Sequence, residues 1–353
     1  MTRNLLPALN QPINFPLCMA PMVGLSHVAL REVARSYLPA DAKTIWPSEM
    51  LNSRRLPGEI FDRTPEVMKS RRPDGEEGWV PQILGNEEKF ISPSVEKLVS
   101  YGAVGIDINM GCPVQKALKH NYGVALMGDA KYAAEVVAMT KKNSSVPVSV
   151  KLRAGQQNEF QYLLDFVGGL QEAGADWICL HPRTAGQMRR GRADWEQISS
   201  LKKHLRVPIV GNGDIQTADD VFAMLEQTGA DLVMSGRALA ARPWLLWQVG
   251  TRMGFAPPVG RETEIVPLSR EEEGAEYGRS LLRLLDLSTE YFGEDLALRK
   301  FRFHVRTTQV WLMFGMALHS AVNSAKTVIE TREAVKKFFE SPQEFVPRTE
   351  LRQ

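Results

Sequence analysis

The chain alternates between short apolar runs and longer amphipathic stretches. Apolar runs at residues 15–20, 44–46, 79–84, 105–109, 146–152, 177–181, 207–211 and 231–236 each have the length of one buried strand. Between most of them, apolar residues recur at helical spacing, over 28–37, 90–101, 130–143, 159–173, 195–204 and 218–227. Gly-Ala pairs at 102–103, 174–175 and 229–230 precede three of the strands, where glycine can end a helix in left-handed backbone. Eight strands alternating with helices over about 240 residues predict an α/β fold, a (β/α)8 TIM barrel, better than an open doubly wound sheet. No Gly-x-Gly-x-x-Gly follows the first strand, which weakens the dinucleotide-fold alternative.

Beyond Trp244 the pattern changes. Residues 254–274 are rich in Pro, Gly and Glu and read as a connection, and helical periodicity resumes over 277–292 and 296–326. The expected organisation is a barrel over 1–252, a linker over 253–275 and a C-terminal all-helical domain over 276–353.

Composition adds limits. At 353 residues and 44% hydrophobic, the chain can bury a large core, and its apolar runs are too short to cross a bilayer. The opening MTRNLLPALNQP has no signal-peptide core. Three cysteines without a CxxC pair argue against a disulfide framework or structural zinc; a cytoplasmic monomer away from membranes is expected. A net charge of +2 means that any nucleic-acid face must come from local clustering.

Candidate chemistry gathers at the ends of the apolar runs. Met22 and Gly24, Glu49, Gln82, Asn109, Lys151, His181, Asn212 and the pair Gly236-Arg237 all follow predicted strands, where barrel active sites are assembled. Glu49 could instead cap a helix. After the fourth strand, Gly111 lets the backbone turn and Pro113 stops the strand, so Cys112 sits on a loop; a packed thiol and a reactive one both fit that position. The Gly-rich loops at 211–215 and 235–237 enter helices and suit a phosphate, which points to a phosphorylated cofactor such as a mononucleotide flavin.

The run Asn109-Met-Gly-Cys-Pro113, followed by Gly123-Val-Ala-Leu126, resembles the signature of the tRNA-dihydrouridine synthases, flavin enzymes that reduce uridine in folded RNA. The resemblance extends over about residues 16–245 through Pro21-Met22-Val23, Gln82-Ile83-Leu84-Gly85, VSVKLR, His181-Pro-Arg-Thr184, Asn212-Gly213-Asp214 and Gly236-Arg237. It implies bound FMN, contacted by Pro21, Met22, Val23, Gln82, Asn109, Lys151, His181, Asn212, Gly213, Asp214, Gly236 and Arg237. It further implies hydride transfer from reduced flavin to uracil C6 and a proton from Cys112 to C5, with NADPH as reductant. A thiol of ordinary pKa, about 8.5, is protonated at neutral pH and suits a general acid.

The substrate implied is tRNA or another structured RNA. No acidic residue occurs from 296 to 329, and Arg299, Lys300, Arg302 and Arg306 alternate there with Phe301, Phe303 and Trp311. Helical spacing puts Arg299, Arg302 and Arg306 on one side as candidate phosphate contacts, with Lys300 elsewhere. A second cluster, Arg183, Arg189, Arg190 and Arg192, follows strand six. Three rival readings differ in what they leave unused. A flavin barrel acting on a free pyrimidine such as dihydroorotate would leave the basic helices idle. A Lys151 aldolase would leave Cys112 idle, and a non-catalytic RNA-binding protein the strand ends.

Overall fold

A computed structural model describes residues 4–350, apart from 62, 115–117, 156–158 and 189. Eight strands form one parallel sheet that curls into a barrel. In chain order they are β1 (Leu17–Met19), β3 (Leu51–Asn52), β5 (Gln82–Leu84), β6 (Ile106–Met110), β7 (Val148–Arg153), β8 (Trp177–His181), β9 (Ile209–Asn212) and β10 (Leu232–Ser235), hydrogen-bonded in the order β1-β10-β9-β8-β7-β6-β5-β3. The two short strands β2 (Trp46–Pro47) and β4 (Trp79–Val80) pair with each other ahead of β3 and β5. Thus the second and third spokes, expected as single runs, are each in two pieces. Proline explains the break in the third: Pro81 has no N–H to give, although its carbonyl still accepts from Asp107 N at 3.0 Å. The ring closes between the first and second spokes through Asn14 N and Phe15 N donating to Lys43 O, and Thr44 Oγ1 donating to Leu17 O at 2.9 Å.

The barrel interior changes character along its axis. Near the strand starts it is apolar, where Cys18, Ile45, Val80, Trp177, Cys179 and Leu232 pack with Leu6, Leu9 and Ile13 of the leading segment. A larger apolar layer lies between strands and helices. Gly102, Gly174 and Gly229 all take positive φ after their helices, as the Gly-Ala pattern predicts. Toward the strand ends polar side chains replace apolar ones, and that end carries the site.

The helical region is built onto the barrel. Its long helix, Arg270–Phe292, begins within the stretch read as linker. Ser269 sets that start by a capping box: its hydroxyl accepts from Glu272 N at 3.1 Å, while the Glu272 carboxylate accepts from Ser269 N at 2.9 Å. Glu273 in the first turn is buried and accepts from Trp244 Nε1 at 2.9 Å, Gln248 Nε2 at 2.8 Å and Arg242 at 3.0 Å. Tyr37 donates to buried Glu276, and Tyr291 donates to Glu32 at 2.5 Å. The helix Glu294–Thr308 then crosses back so that Phe303 rests on Gly24, where an added Cβ would come within 2.7 Å of the ring.

Two histidines are sealed into this junction. His27 caps the helix Val28–Arg35, its Nδ1 accepting from Leu30 N, and lies edge-on to Phe292 at 5.3 Å. His304 faces inward from the helix Glu294–Thr308. Burial lowers His27 well below the ordinary 6.5, helped by the nearby charge of Lys300, and pushes His304 down to about 3. Folded pKa values below the unfolded one mean that the unfolded chain binds more protons under acid. The stability these neutral rings contribute is complete above about pH 6.5 and is lost as pH falls below it. Urea unfolding at pH 7 and pH 5 should show a drop approaching about 1.4 kcal/mol per pH unit for each ring, and His304→Gln should flatten the dependence by about one proton.

Candidate active site

Two adjoining hollows open at the strand ends and share Pro21, Met22, Lys151, Arg153, His181 and Arg237. The smaller, about 190 Å³, lies against the loops after β9 and β10 and has Asn212, Gly213, Ser235 and Gly236 in its wall. The larger, about 810 Å³, reaches across the mouth past Gln82, Asn109 and Cys112. Its far wall is Phe303, Arg306, Thr307, Val310 and Trp311, so barrel and helical region build it together.

Parallel register decides which side chains meet. Asn109 lies beside Lys151, and Arg153 beside His181. Asn109 Oδ1 then accepts from Gly111 N at 3.2 Å and Cys112 N at 2.9 Å, folding the chain back right after the strand. Arg153 Nε donates to Gly111 O at 3.1 Å from below, and Cys112 O accepts from Val124 N at 3.1 Å. That last contact explains the glycine in the downstream motif. Gly123 has φ of 59°, and a Cβ there would come within 2.5 Å of Cys112 O. Held this way, the half-buried Cys112 faces the larger hollow. Burial raises its thiol above the ordinary value, against the opposing hydrogen bond from Val114 and the charges of Arg153 and Lys151. The thiol is therefore protonated at neutral pH. Cys18 and Cys179 are buried inside strands, and burial pushes Cys179 up to about 12.

The smaller hollow is electropositive. Among the described residues, Lys151, Arg153, Arg183 and Arg237 line it against a single acid, Asp214. His181 adds no charge, because burial and the neighbouring cations Lys151, Arg153 and Arg183 push it down to about 2. Lys151 Nζ donates to Asn212 Oδ1 at 3.2 Å, and Asn212 Nδ2 is fixed by Met234 O at 2.7 Å, so Asn212 aims the lysine. Backbone must approach closely here: a Cβ on Gly213 would come within 2.8 Å of Ala193, and one on Gly236 within 3.2 Å of Met22. Cationic side chains around close-set backbone, with Gly213 at a position that other residues would strain, suit an anionic group such as the phosphate of a mononucleotide.

Several residues read from sequence lie elsewhere than expected. Asp214 lines the smaller hollow, but its carboxylate is turned away, accepting from Arg183 at 2.6 Å and Ala193 N at 2.6 Å. Arg183 is buried, with its donors spent on Asp214, Gly191 O, Arg190 O and the His181 ring; that inward packing leaves no face for RNA. Arg302 is half-buried and donates to Ala325 O at 2.5 Å, tying its helix to the next one, while Arg299 and Arg306 are exposed. Arg190 and Arg192 are exposed beside a cleft; Arg189 lies outside the described residues. Glu49 is buried and paired with Lys69 at 3.4 Å, outside both hollows. Val23 stands at the rim of the larger hollow. Sequence reasoning gave no site role to Arg153 or Asp107. Arg153 follows Lys151 by two residues on a strand, which alternation places on the same face.

The fold is that of a (β/α)8 barrel, with an electropositive recess beside a larger cavity at the strand ends. The dihydrouridine synthase family model matches residues 18–341, and the chain belongs to that family. It is 31% identical over 331 residues to a probable tRNA-dihydrouridine synthase of Mycobacterium tuberculosis, covering 90% of this chain and 79% of that one. A probable tRNA-dihydrouridine synthase of Helicobacter pylori is 28% identical over 326 residues, 92% of each chain. Among solved structures, histamine dehydrogenase from Rhizobium sp. 4-9 shares the fold, with a TM-score of 0.53 at 11% identity over 79% of this chain and 50% of that one.

The packing of Gly123 against the cysteine loop makes a direct test. Gly123→Ala strains a left-handed position and pushes on Cys112 O, so it should destabilise the protein by about 1–3 kcal/mol. Turnover should fall further than the loss of folded protein explains, measured by melting temperature and activity on the same samples.

Proposed function

We propose that this protein reduces uridine to 5,6-dihydrouridine in tRNA, with FMN as resident cofactor and NADPH as electron donor. The observation that carries the reading is the Cys112 loop, held by Asn109 and Arg153 beside a cavity whose walls come from both barrel and helical region. Belonging to the dihydrouridine synthase family fixes the reaction class around it.

Gly213, Gly236, Arg237 and Lys151 are the residues that would hold the FMN phosphate and the polar edge of its ring. When bound, the flavin supplies hydride to uracil C6. The chain's own task is then a proton at C5, for which Cys112 Sγ is the donor facing the cavity. Loss of that proton leaves a thiolate beside Lys151 and Arg153, whose charges already favour it. The thiol is regenerated from solvent at the open mouth. Phe303, Val310 and Val114 offer apolar surface at the rim to a base drawn out of its stack. Exposed Arg306, in the cavity wall, and exposed Arg299, about two turns earlier on the same side of that helix, suit the flanking phosphates.

The purified protein should be yellow, and its cofactor should be released by heat with a flavin absorption band; a colourless protein that takes up no added FMN would end the reading. Cys112→Ala should keep flavin and RNA affinity and lose about 10²–10⁴ in turnover, roughly 3–5 kcal/mol of barrier. Near-normal activity would count against the thiol's role. For RNA, Arg299→Ala and Arg306→Ala should each lower the slope of log K against log salt by about one. Arg302→Ala should leave that slope alone and lower the melting temperature instead.

A further inference from the structure

One buried acid has no part in the chemistry above. Asp107, the second residue of β6, points into the barrel and is 5% exposed, where an apolar side chain would be the ordinary filling. Two neighbouring strands donate to it: Gln82 Nε2 at 2.7 Å and Ser149 Oγ at 2.6 Å. Burial raises its pKa and these two donors oppose that rise.

A carboxylate that accepts on both oxygens imposes a direction on whatever touches it. With its NH₂ turned to Asp107, Gln82 presents Oε1 outward, where it accepts from Asn109 Nδ2 at 2.7 Å. Asn109 is then oriented too, its Oδ1 receiving the backbone N–H of Gly111 and Cys112. Side-chain amides can be reversed end for end at little steric cost, so shape alone does not choose between the two directions of this chain. The acid at its root does. We infer that Asp107 and Ser149 are positioning residues: through Gln82 and Asn109 they set the polarity of a hydrogen-bonded chain, running from the barrel core to the Cys112 loop, that holds the thiol in place.

Asparagine at position 107 would offer one acceptor and one donor, and because the Ser149 hydroxyl can accept as readily as it donates, the direction of the chain would no longer be imposed. If the new NH₂ faces Gln82, that amide must reverse, Asn109 must follow, and the N–H of Cys112 then meets another N–H. Changing Gln82 to Glu in the same protein repairs the direction, since a carboxylate there accepts from both sides and leaves Asn109 as it was.

The inference rests on the proposed role of Cys112, and its test reads the thiol directly rather than uridine reduction. Among the three cysteines of the chain Cys112 is the one that is not buried, so alkylation of the flavin-loaded protein by iodoacetamide across pH reports on it. Asp107→Asn should loosen the loop and move the alkylation profile to lower pH, raising the rate at pH 7.5 roughly three- to ten-fold. Ser149→Ala, which removes one of two donors, should move it the same way by less, and serves if Asp107→Asn does not fold. Asp107→Asn/Gln82→Glu should bring the profile back toward the wild-type position. An unchanged profile in the flavin-loaded single variants would overturn the inference. So would a shifted profile that the double variant does not bring back, since polarity would then not be its cause. A normal response of the thiol in a protein inactive on RNA would leave this chain of bonds standing and sink the proposed reaction.

Discussion

A buried carboxylate, Glu273, is the constraint on which the larger cavity depends. It belongs to the first turn of Arg270–Phe292 yet takes all its donors, Arg242, Trp244 and Gln248, from the end of the barrel. A buried charge stripped of its partners typically costs about 3–5 kcal/mol, so the helical region has a strong reason to sit in this one place. From there the chain runs to Phe292, turns at Gly293, and brings Glu294–Thr308 back over the mouth. The cavity wall of Phe303, Arg306 and Val310 lies far along the chain from Glu273 and is placed by it.

The site balances charge by neutrality rather than by pairing. Among the described residues four cations crowd the smaller hollow, and Asp214, the acid in its wall, is turned onto Arg183. Such a concentration of positive charge is tolerable because His181 is held neutral and the hollow opens to solvent and to an anion. Of those cations, Lys151 and Arg153 favour a thiolate at Cys112 while burial disfavours it, and burial is the larger influence. A cysteine placed nearer Lys151, or further out in water, would be a nucleophile or an inert thiol instead.

Much of this was legible in sequence because strand-end position is a local property. Apolar run length marks the strands, and the polar residue that ends each run marks the mouth, so Gln82, Asn109, Cys112, Lys151 and His181 could be placed together. Pairing was not legible. Nothing in a string of arginines distinguishes Arg306, which lines the cavity, from Arg302, which is spent on Ala325 O, because the partner lies 23 residues away on another helix. Arg183 was misread for the same reason: its acid, Asp214, follows the next strand. Asp107 was passed over because an acid inside a strand alternation looks like a solvent-facing position until the barrel closes around it. The break at Pro81 was visible as a residue but not as an interruption, since the flanking apolar residues carry on through it.

The smaller hollow draws its entire wall from residues 20–238, whereas the larger one also needs residues beyond 300. A chain made from its N-terminus therefore completes the cofactor recess first, while the helix Val28–Arg35 still lacks the cover that Arg270–Phe292 later provides. During that interval the barrel mouth lacks the side chains of Phe303, Arg306 and Val310 that wall the larger hollow. The order of synthesis thus separates the two hollows: a chain that ends before residue 300 has the residues of the electropositive recess and lacks those of the wall across from it.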